Sequence, residues 1–208
     1  FRQSLETSPI GHYSTLHIIL IARDDEFAQF RILAETAELT QLSCTYVTGG
    51  PTRQAAVHNG LKALRSLVIS ETTPVLIHDA ARCFVSERLL RSTAELAALG
   101  IASAPGLAST DTLRQVQVRA DGTAVFGATI DRERTVRMQT PQAAPYGILA
   151  VCHKQAAAAG IHATDDVALL HAQGHEVRLL PGDPDNIKLT QPHDLHLAEH
   201  ILGGRSHD

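Results

Sequence analysis

The stretch V-L-I-H-D-A-A-R, residues Val75 to Arg82, decides how the rest of the chain is read. Three apolar residues run straight into His78 and Asp79, then come two alanines and an arginine. A short apolar run bounded by polar residues has the pattern of a buried parallel strand. The residues after it then form a loop at a strand's C-terminal end, where open α/β sheets bind ligands. The alanines leave room for close approach, and Asp79 and Arg82 offer opposite charges within a few residues. Taken alone, a strand end capped by a surface ion pair accounts for the stretch equally well.

Outward from this strand the chain keeps a regular rhythm. Leu16 to Ala22 is a β-branched apolar run with strand character, and a helix is expected over Glu26 to Leu39. Cys44 to Val47 is a short strand closed by Gly49-Gly50, and Val57, Leu61 and Leu64 recur at helical spacing within Arg53 to Leu64. Ser86 has the chemistry of an N-cap for a helix through Leu99, and Ile101 to Pro105 is another strand. This alternation predicts an α/β fold with a doubly wound, mostly parallel sheet. It breaks at Thr112–Val118 and Thr123–Ile130, two extended runs around Asp121-Gly122, a strong hairpin signal. Such a hairpin has little of its own to bury, so it is expected to project as an arm over about residues 112–130 and pack on another subunit, with a flap lying on its own domain as the alternative. Helices are expected from Tyr146 to Ala159 and after Thr164, with a strand at Glu176–Leu180 and a short strand at Asn186–Leu189. Thr190 is placed to cap a last helix over Gln191–Leu202. The whole of residues 1–208 reads as a single domain.

Composition narrows the function classes. The chain is 44% hydrophobic, enough for a full core, and its net charge of −4 offers no basic field for nucleic acid. No apolar run approaches the roughly 20 residues of a membrane span, and no secretory signal pattern is visible. The three cysteines, Cys44, Cys83 and Cys152, are far apart and without C-x-x-C spacing, which suits a reducing cytoplasm. Polar clusters fall instead at strand ends and loop edges: Gly49-Gly50 with Arg53, Asp79 with Arg82, Asp111-Thr112, Asp131-Arg132, Thr140, and Asn186 with Lys188. Glycines, hydroxyls, a carboxylate and several cations suit a phosphorylated ligand and a metal ion. No nucleophile-elbow pattern accompanies them.

These motifs carry a resemblance. V-L-I-H-D-A-A-R, with G-G-P-T-R before it and D-T-L-R, I-D-R, Q-T-P-Q, T-D-D and D-N-I-K-L-T-Q-P-H-D-L after it, resembles the 2-C-methyl-D-erythritol 4-phosphate cytidylyltransferases of the non-mevalonate isoprenoid pathway. The motifs stand in the family's order from Gly49 to Leu195. The resemblance implies a Rossmann-like nucleotidyltransferase fold, a homodimer joined by the arm, and Mg²⁺-dependent transfer of a cytidylyl group from CTP with loss of pyrophosphate. It assigns Asp79 to the metal–triphosphate or the sugar phosphate, and Arg82 to the substrate. Lys188 would hold the substrate phosphate, and Arg132 would reach the phosphate in the neighbouring active site with Thr112 beside it. Thr140 would line the pocket. Gly50, Arg53 and Ala80 would lie against the nucleotide.

The sequence also departs from the family. The family has an N-terminal glycine-rich loop with an arginine and a Pro-Lys-Gln that cradles the CTP triphosphate, and no such motif occurs here. The chain opens at Phe1 within a helix-like pattern, so an edge strand, this loop and half a helix are expected upstream. Ala56 stands where a serine is common, Arg114 where lysine is usual, and Asp166 where glutamate is usual. Two alternatives therefore stay open. One is a non-catalytic dimeric remnant, and the other is a sister cytidylyltransferase acting on ribitol 5-phosphate.

Overall fold

The computed structural model describes residues 16–36, 43–67 and 70–205. The expected helix-like start at Phe1–Thr7 lies outside them. Strand β1 (His17–Ala22) pairs in parallel with β2 (Ser43–Thr48), in register from His17 opposite Ser43 to Ala22 opposite Thr48. Helix α1 is Phe27–Thr36, preceded by a single 3₁₀ turn at Asp24–Glu26. Helix α2 (Arg53–Arg65) begins at Thr52, whose hydroxyl accepts from the Ala55 N–H. It packs against both strands and against helix α4 (Tyr146–Ala159). At Gly60 a Cβ would sit 2.6 Å from Ile21 Cδ1, so glycine lets α2 lie close to β1.

The larger sheet is built from β3 (Pro74–Ile77), β4 (Ala102–Ala108), β7 (Val136–Met138), β8 (Gln142–Pro145) and β9 (Val177–Pro181). Ser103 of β4 is opposite Ala143 on one side and Arg178 on the other, so β7 and β8 share one edge of β4 and β9 takes the other. β4 and β9 run parallel, whereas β8 is antiparallel to both β3 and β4. The expected mostly parallel sheet is therefore mixed. The reason is local: after the hairpin the chain turns straight back along β4, and a short return of this kind makes antiparallel neighbours without a crossover helix.

Helices cover both faces. Val75, Ile77 and Ala144 join a core with Leu61, Leu149, Cys152, Ala156, Leu169 and Leu170, from α2, α4 and α5 (Asp166–Ala172). Leu76 and its cross-strand partner Ala143 point the other way. Helix α3 (Glu87–Ala98), which packs on β3, β4 and β8, covers that face. Tyr146 seals the first core by donating its hydroxyl to the Leu61 carbonyl at 3.2 Å.

The hairpin forms as expected: β5 (Leu113–Val118) and β6 (Ala124–Ile130) pair antiparallel, with Gly122 at φ 83° in the turn. Two expectations fail near the C-terminus. Asn186–Leu189 forms no strand; its ladder contact is one bond, the Leu189 N–H to the Ala81 carbonyl at 2.9 Å. The last helix, α6, is Asp194–Arg205 and starts later than Gln191, because Asp194 itself caps the approach. Its carboxylate accepts from the Thr190 and Gln191 N–H groups. Asp165 caps α5 by accepting from the Ala168 N–H.

Leu149 is fully buried at the centre of the first core. Leu149→Ala should lower unfolding free energy by about 2–5 kcal/mol, measured by urea denaturation, whereas the exposed Val151→Ala on the same helix should change it by less than about 0.5 kcal/mol.

Candidate active site

The ends of β2 and β3, the Gln139–Gln142 segment and the loop before α6 meet at one carboxylate. Asp79 Oδ1 lies 3.2 Å from Arg53 Nε, and its Oδ2 lies 2.8 Å from Lys188 Nζ. Burial alone would raise the Asp79 pKa, but its bonds to Lys188 and Arg53 outweigh that and hold it below the ordinary carboxylate value. The carboxylate is thus an anion at neutral pH with a cation on each oxygen. Its side chain keeps 18% exposure, and that of Lys188 43%, so both remain reachable from solvent.

The backbone of Asp79 is fixed from behind. Its N–H donates to Thr140 Oγ1 at 3.1 Å. Thr140 in turn lies 2.9 Å from His78 Nδ1, while His78 Nε2 lies 3.0 Å from the Arg82 carbonyl. A carbonyl only accepts, so Nε2 carries the proton, Nδ1 accepts, and the Thr140 hydroxyl donates to it. Every hydrogen-bonding group in this chain of contacts is matched only with His78 neutral. Burial lowers the His78 pKa in the same sense.

Arg82 faces inwards. Its Nη1 donates to the Asn186 carbonyl at 2.8 Å and its Nη2 to the Met138 carbonyl at 3.1 Å, leaving Nε buried without a partner. Buried Gln139 grips the same loop, donating to the Asp183 and Asn186 carbonyls and accepting from the Asp183 N–H. Asn186, fully buried, donates to the Thr140 carbonyl at 2.8 Å. These contacts, together with Phe84, Ala198 and Ile201 packing beneath Ile187 and Leu189, aim Lys188 at Asp79. Gly50 sits where β2 enters α2; a Cβ there would come within 2.6 Å of Ala55 Cβ, so only glycine fits. Ala80 is exposed beside Asp79.

The structure therefore brings together Arg53, Asp79, Arg82, Thr140 and Lys188, with Gly50 and Ala80 at the rim. Arg132 and Thr112 sit elsewhere, at the base of the hairpin. Arg132 lies in a 3₁₀ turn at Arg132–Arg134 and donates to the Thr110 carbonyl at 3.2 Å. Among the described residues neither has a hydrogen bond or ion pair to the Asp79 cluster. Sequence reasoning missed His78 and Gln139 as supports and singled out Asn186 only as a polar residue paired with Lys188. The available signal was polar residues inside otherwise tightly packed motifs, since buried polar groups are retained where they are hydrogen-bonded.

The family model described as 2-C-methyl-D-erythritol 4-phosphate cytidylyltransferase matches residues 7–204, an interval that contains every one of these side chains. The chain belongs to that family. A relative of the same description from Geobacillus thermodenitrificans is 40% identical over 188 residues, covering 90% of this chain and 78% of the relative. The crystal structure of 4-diphosphocytidyl-2C-methyl-D-erythritol synthase from Anaerococcus prevotii is similar with a TM-score of 0.74 at 28% identity, over 90% of this chain and 78% of that one. That of 2-C-methyl-D-erythritol 4-phosphate cytidylyltransferase from Thermus thermophilus is similar with a TM-score of 0.65 at 34% identity, over 78% and 74%. The fold of this family member is thus the α/β fold of those enzymes, with the mixed sheet described above.

The neutral state of His78 has a measurable consequence. Its folded pKa is depressed, so the unfolded chain binds more protons between the two values, and stability rises with pH across that window. This contribution is complete above the unfolded value of about 6.5 and is lost as pH falls towards the folded value. Urea midpoints of the native protein should fall between about pH 7 and pH 5, and in His78→Gln that pH-dependent component should disappear.

Proposed function

We propose that this protein transfers a cytidylyl group from CTP to 2-C-methyl-D-erythritol 4-phosphate, giving 4-diphosphocytidyl-2-C-methyl-D-erythritol and pyrophosphate for isoprenoid precursor synthesis. Family membership supports the reaction, and one observation supports its location: Lys188, from the last ordered motif, meets Asp79, from V-L-I-H-D-A-A-R. A phosphate oxygen of the sugar attacks the α-phosphorus of CTP, and the bond to the β-phosphate breaks with pyrophosphate as leaving group. The attacking group is already an anion, so no general base is required. The protein's task is to bring anions together in line and to match the negative charge that builds in the transition state.

Lys188 suits the substrate phosphate, because its ammonium is half exposed and needs only to turn from the Asp79 carboxylate. Asp79 and Arg53 form the polar floor beneath the triphosphate, with Gly50 and Ala80 leaving space for the nucleotide. Thr140 and Arg82 act on the pocket from inside, by fixing the Asp79 backbone and the Lys188 loop.

A divalent cation such as Mg²⁺ belongs to this proposal. Among the described residues no group of three or more His, Cys, Asp or Glu side chains is placed to hold a metal, so the ion would take most of its ligands from phosphates and water. Asp79 would hold it, and the ion's chemistry would be to neutralise charge on the triphosphate.

The homodimer is also proposed. Val116 and Phe126 are cross-strand partners on one hairpin face, with Val118 next along it; they are 62%, 82% and 72% exposed. A partner's surface over this apolar face would bury it, and would carry Arg132 and Thr112 at the arm's base towards the partner's site. A cytoplasmic location fits the free cysteines, Cys44, Cys83 and Cys152.

Pyrophosphate release by the full-length protein tests the reaction. CTP with methylerythritol phosphate should be turned over, and ribitol 5-phosphate should not; the opposite preference would falsify the assignment. Lys188→Ala and Arg132→Ala should each slow turnover about 100-fold or more with unchanged circular dichroism. Deleting Val116–Val125 should convert the dimer to monomer by gel filtration, and a retained dimer would remove the hairpin from the interface.

A further inference from the structure

Behind Arg53 lies a buried pair that the reaction as described does not use. Arg53 stands at the first position of α2 and turns its guanidinium two ways. Its Nε faces Asp79 at 3.2 Å, and its Nη2 lies at an ion-pair distance of 2.8 Å from Asp166 Oδ2, without the alignment of a hydrogen bond. Burial disfavours the charged guanidinium, but Asp166 and then Asp79 overcome that and raise its pKa above the ordinary arginine value. Asp166 is almost fully buried, with 1% of its side chain exposed. Its other oxygen lies 2.9 Å from Nε2 of His153, also 1% exposed. A carboxylate only accepts, so His153 Nε2 carries the proton and donates it. Gln142 holds the backbone of Asp166 in place by accepting from its N–H at 2.8 Å.

This arrangement is unusual for a structural ion pair. A carboxylate buried this deeply is costly unless fully partnered, and an apolar side chain at the start of α5 would avoid that cost. What the pair supplies is direction. Arg53 has a long, flexible side chain, and an exposed arginine with one carboxylate partner samples many geometries. With Nη2 drawn to a buried carboxylate, itself bonded by His153, the guanidinium presents its Nε edge to Asp79.

We infer that Asp166 and His153 are positioning residues for the cytidylyl transfer: they lock the Arg53 guanidinium, and Arg53 in turn fixes the Asp79 carboxylate at the pocket floor. Neither touches the pocket. The chain of contacts runs His153, Asp166, Arg53, Asp79, Lys188, and it joins α4, α5, α2, the end of β3 and the loop before α6. His58 stacks on the far side of His153, with ring centroids 6.3 Å apart and planes 10° from parallel, which closes the buried end. The inference rests on the proposed role of Asp79 in the reaction.

The test is a double-mutant cycle in the full-length protein, with a spectroscopic readout on Arg53. Asp166→Asn should lower kcat about tenfold or more, with unchanged circular dichroism. It should also broaden or abolish the Arg53 Nε–H cross-peak in ¹H–¹⁵N spectra, assigned by its loss in Arg53→Lys. Made on top of Asp79→Asn, the same change should cost less than about twofold, because the group it acts through is gone. His153→Phe should repeat these losses if Asp166→Asn does not fold, and His153→Gln, which keeps an N–H donor, should recover most of them. A full tenfold loss in both backgrounds, or an undisturbed Arg53 signal in both Asp166→Asn and His153→Phe, overturns the inference. Unchanged turnover in Asp79→Asn alone would instead overturn the role of Asp79. The Arg53 signal needs no turnover and still reports whether Asp166 orders Arg53.

Discussion

The end of the molecule where the ends of β2 and β3 meet the loop before α6 depends on one carboxylate held between two cations. Asp79 is 26 residues from Arg53 and 109 from Lys188, so this contact joins a helix start, a strand end and a C-terminal loop that local structure would leave independent. The carboxylate is worth its partial burial only because both oxygens are matched. Its backbone is equally constrained, through Thr140 and the neutral ring of His78. The result is a fixed negative point with a solvent-accessible positive charge beside it. That arrangement suits the proposed role of bringing phosphates together, since a resting cation must be available without collapsing onto a random partner.

Much of this was legible in the sequence, for reasons that differ by element. The hairpin was visible because Asp121-Gly122 supplies a local conformation that turns two extended runs back on each other, and Gly122 takes the positive φ this needs. Helices α2 and α4 were visible through apolar spacing and, for α4, the stop at Gly160, which adopts φ 65°. The order of strands was not visible. Whether β8 pairs with β3 and β4 depends on where the chain goes after a short turn, and no residue pattern in Gln142–Pro145 encodes its two neighbours. The missing strand at Asn186–Leu189 has a similar origin. Its alternation reflects Ile187 and Leu189 packing on Phe84 and α6, while its backbone is tied to Ala81 by one bond and its carbonyl at 186 is used by Arg82 and Gln139.

The site shows the same division. Asp79, Arg53 and Lys188 announce themselves as charged residues inside motifs, and their meeting comes from the fold. The supports do not announce themselves. Gln139, Gln142, Asn186, Asp166 and His153 are polar residues whose partners lie across long stretches of chain, and a sequence cannot say which of them are buried. Burial converts an ordinary amide or imidazole into a constraint, because each unpaired group would carry a desolvation penalty of about 1–3 kcal/mol. The motifs Q-T-P-Q and D-N-I-K are thus largely instructions for holding loops, with Lys188 as the residue they present to Asp79.

The clamp is tested most directly by a carbon-13 NMR titration of the Asp79 carboxyl group in the native protein and in Lys188→Ala. It predicts a native midpoint below the ordinary carboxylate value, shifted upward when the ammonium is removed. A native midpoint at or above the ordinary value, or one indifferent to Lys188, would contradict it.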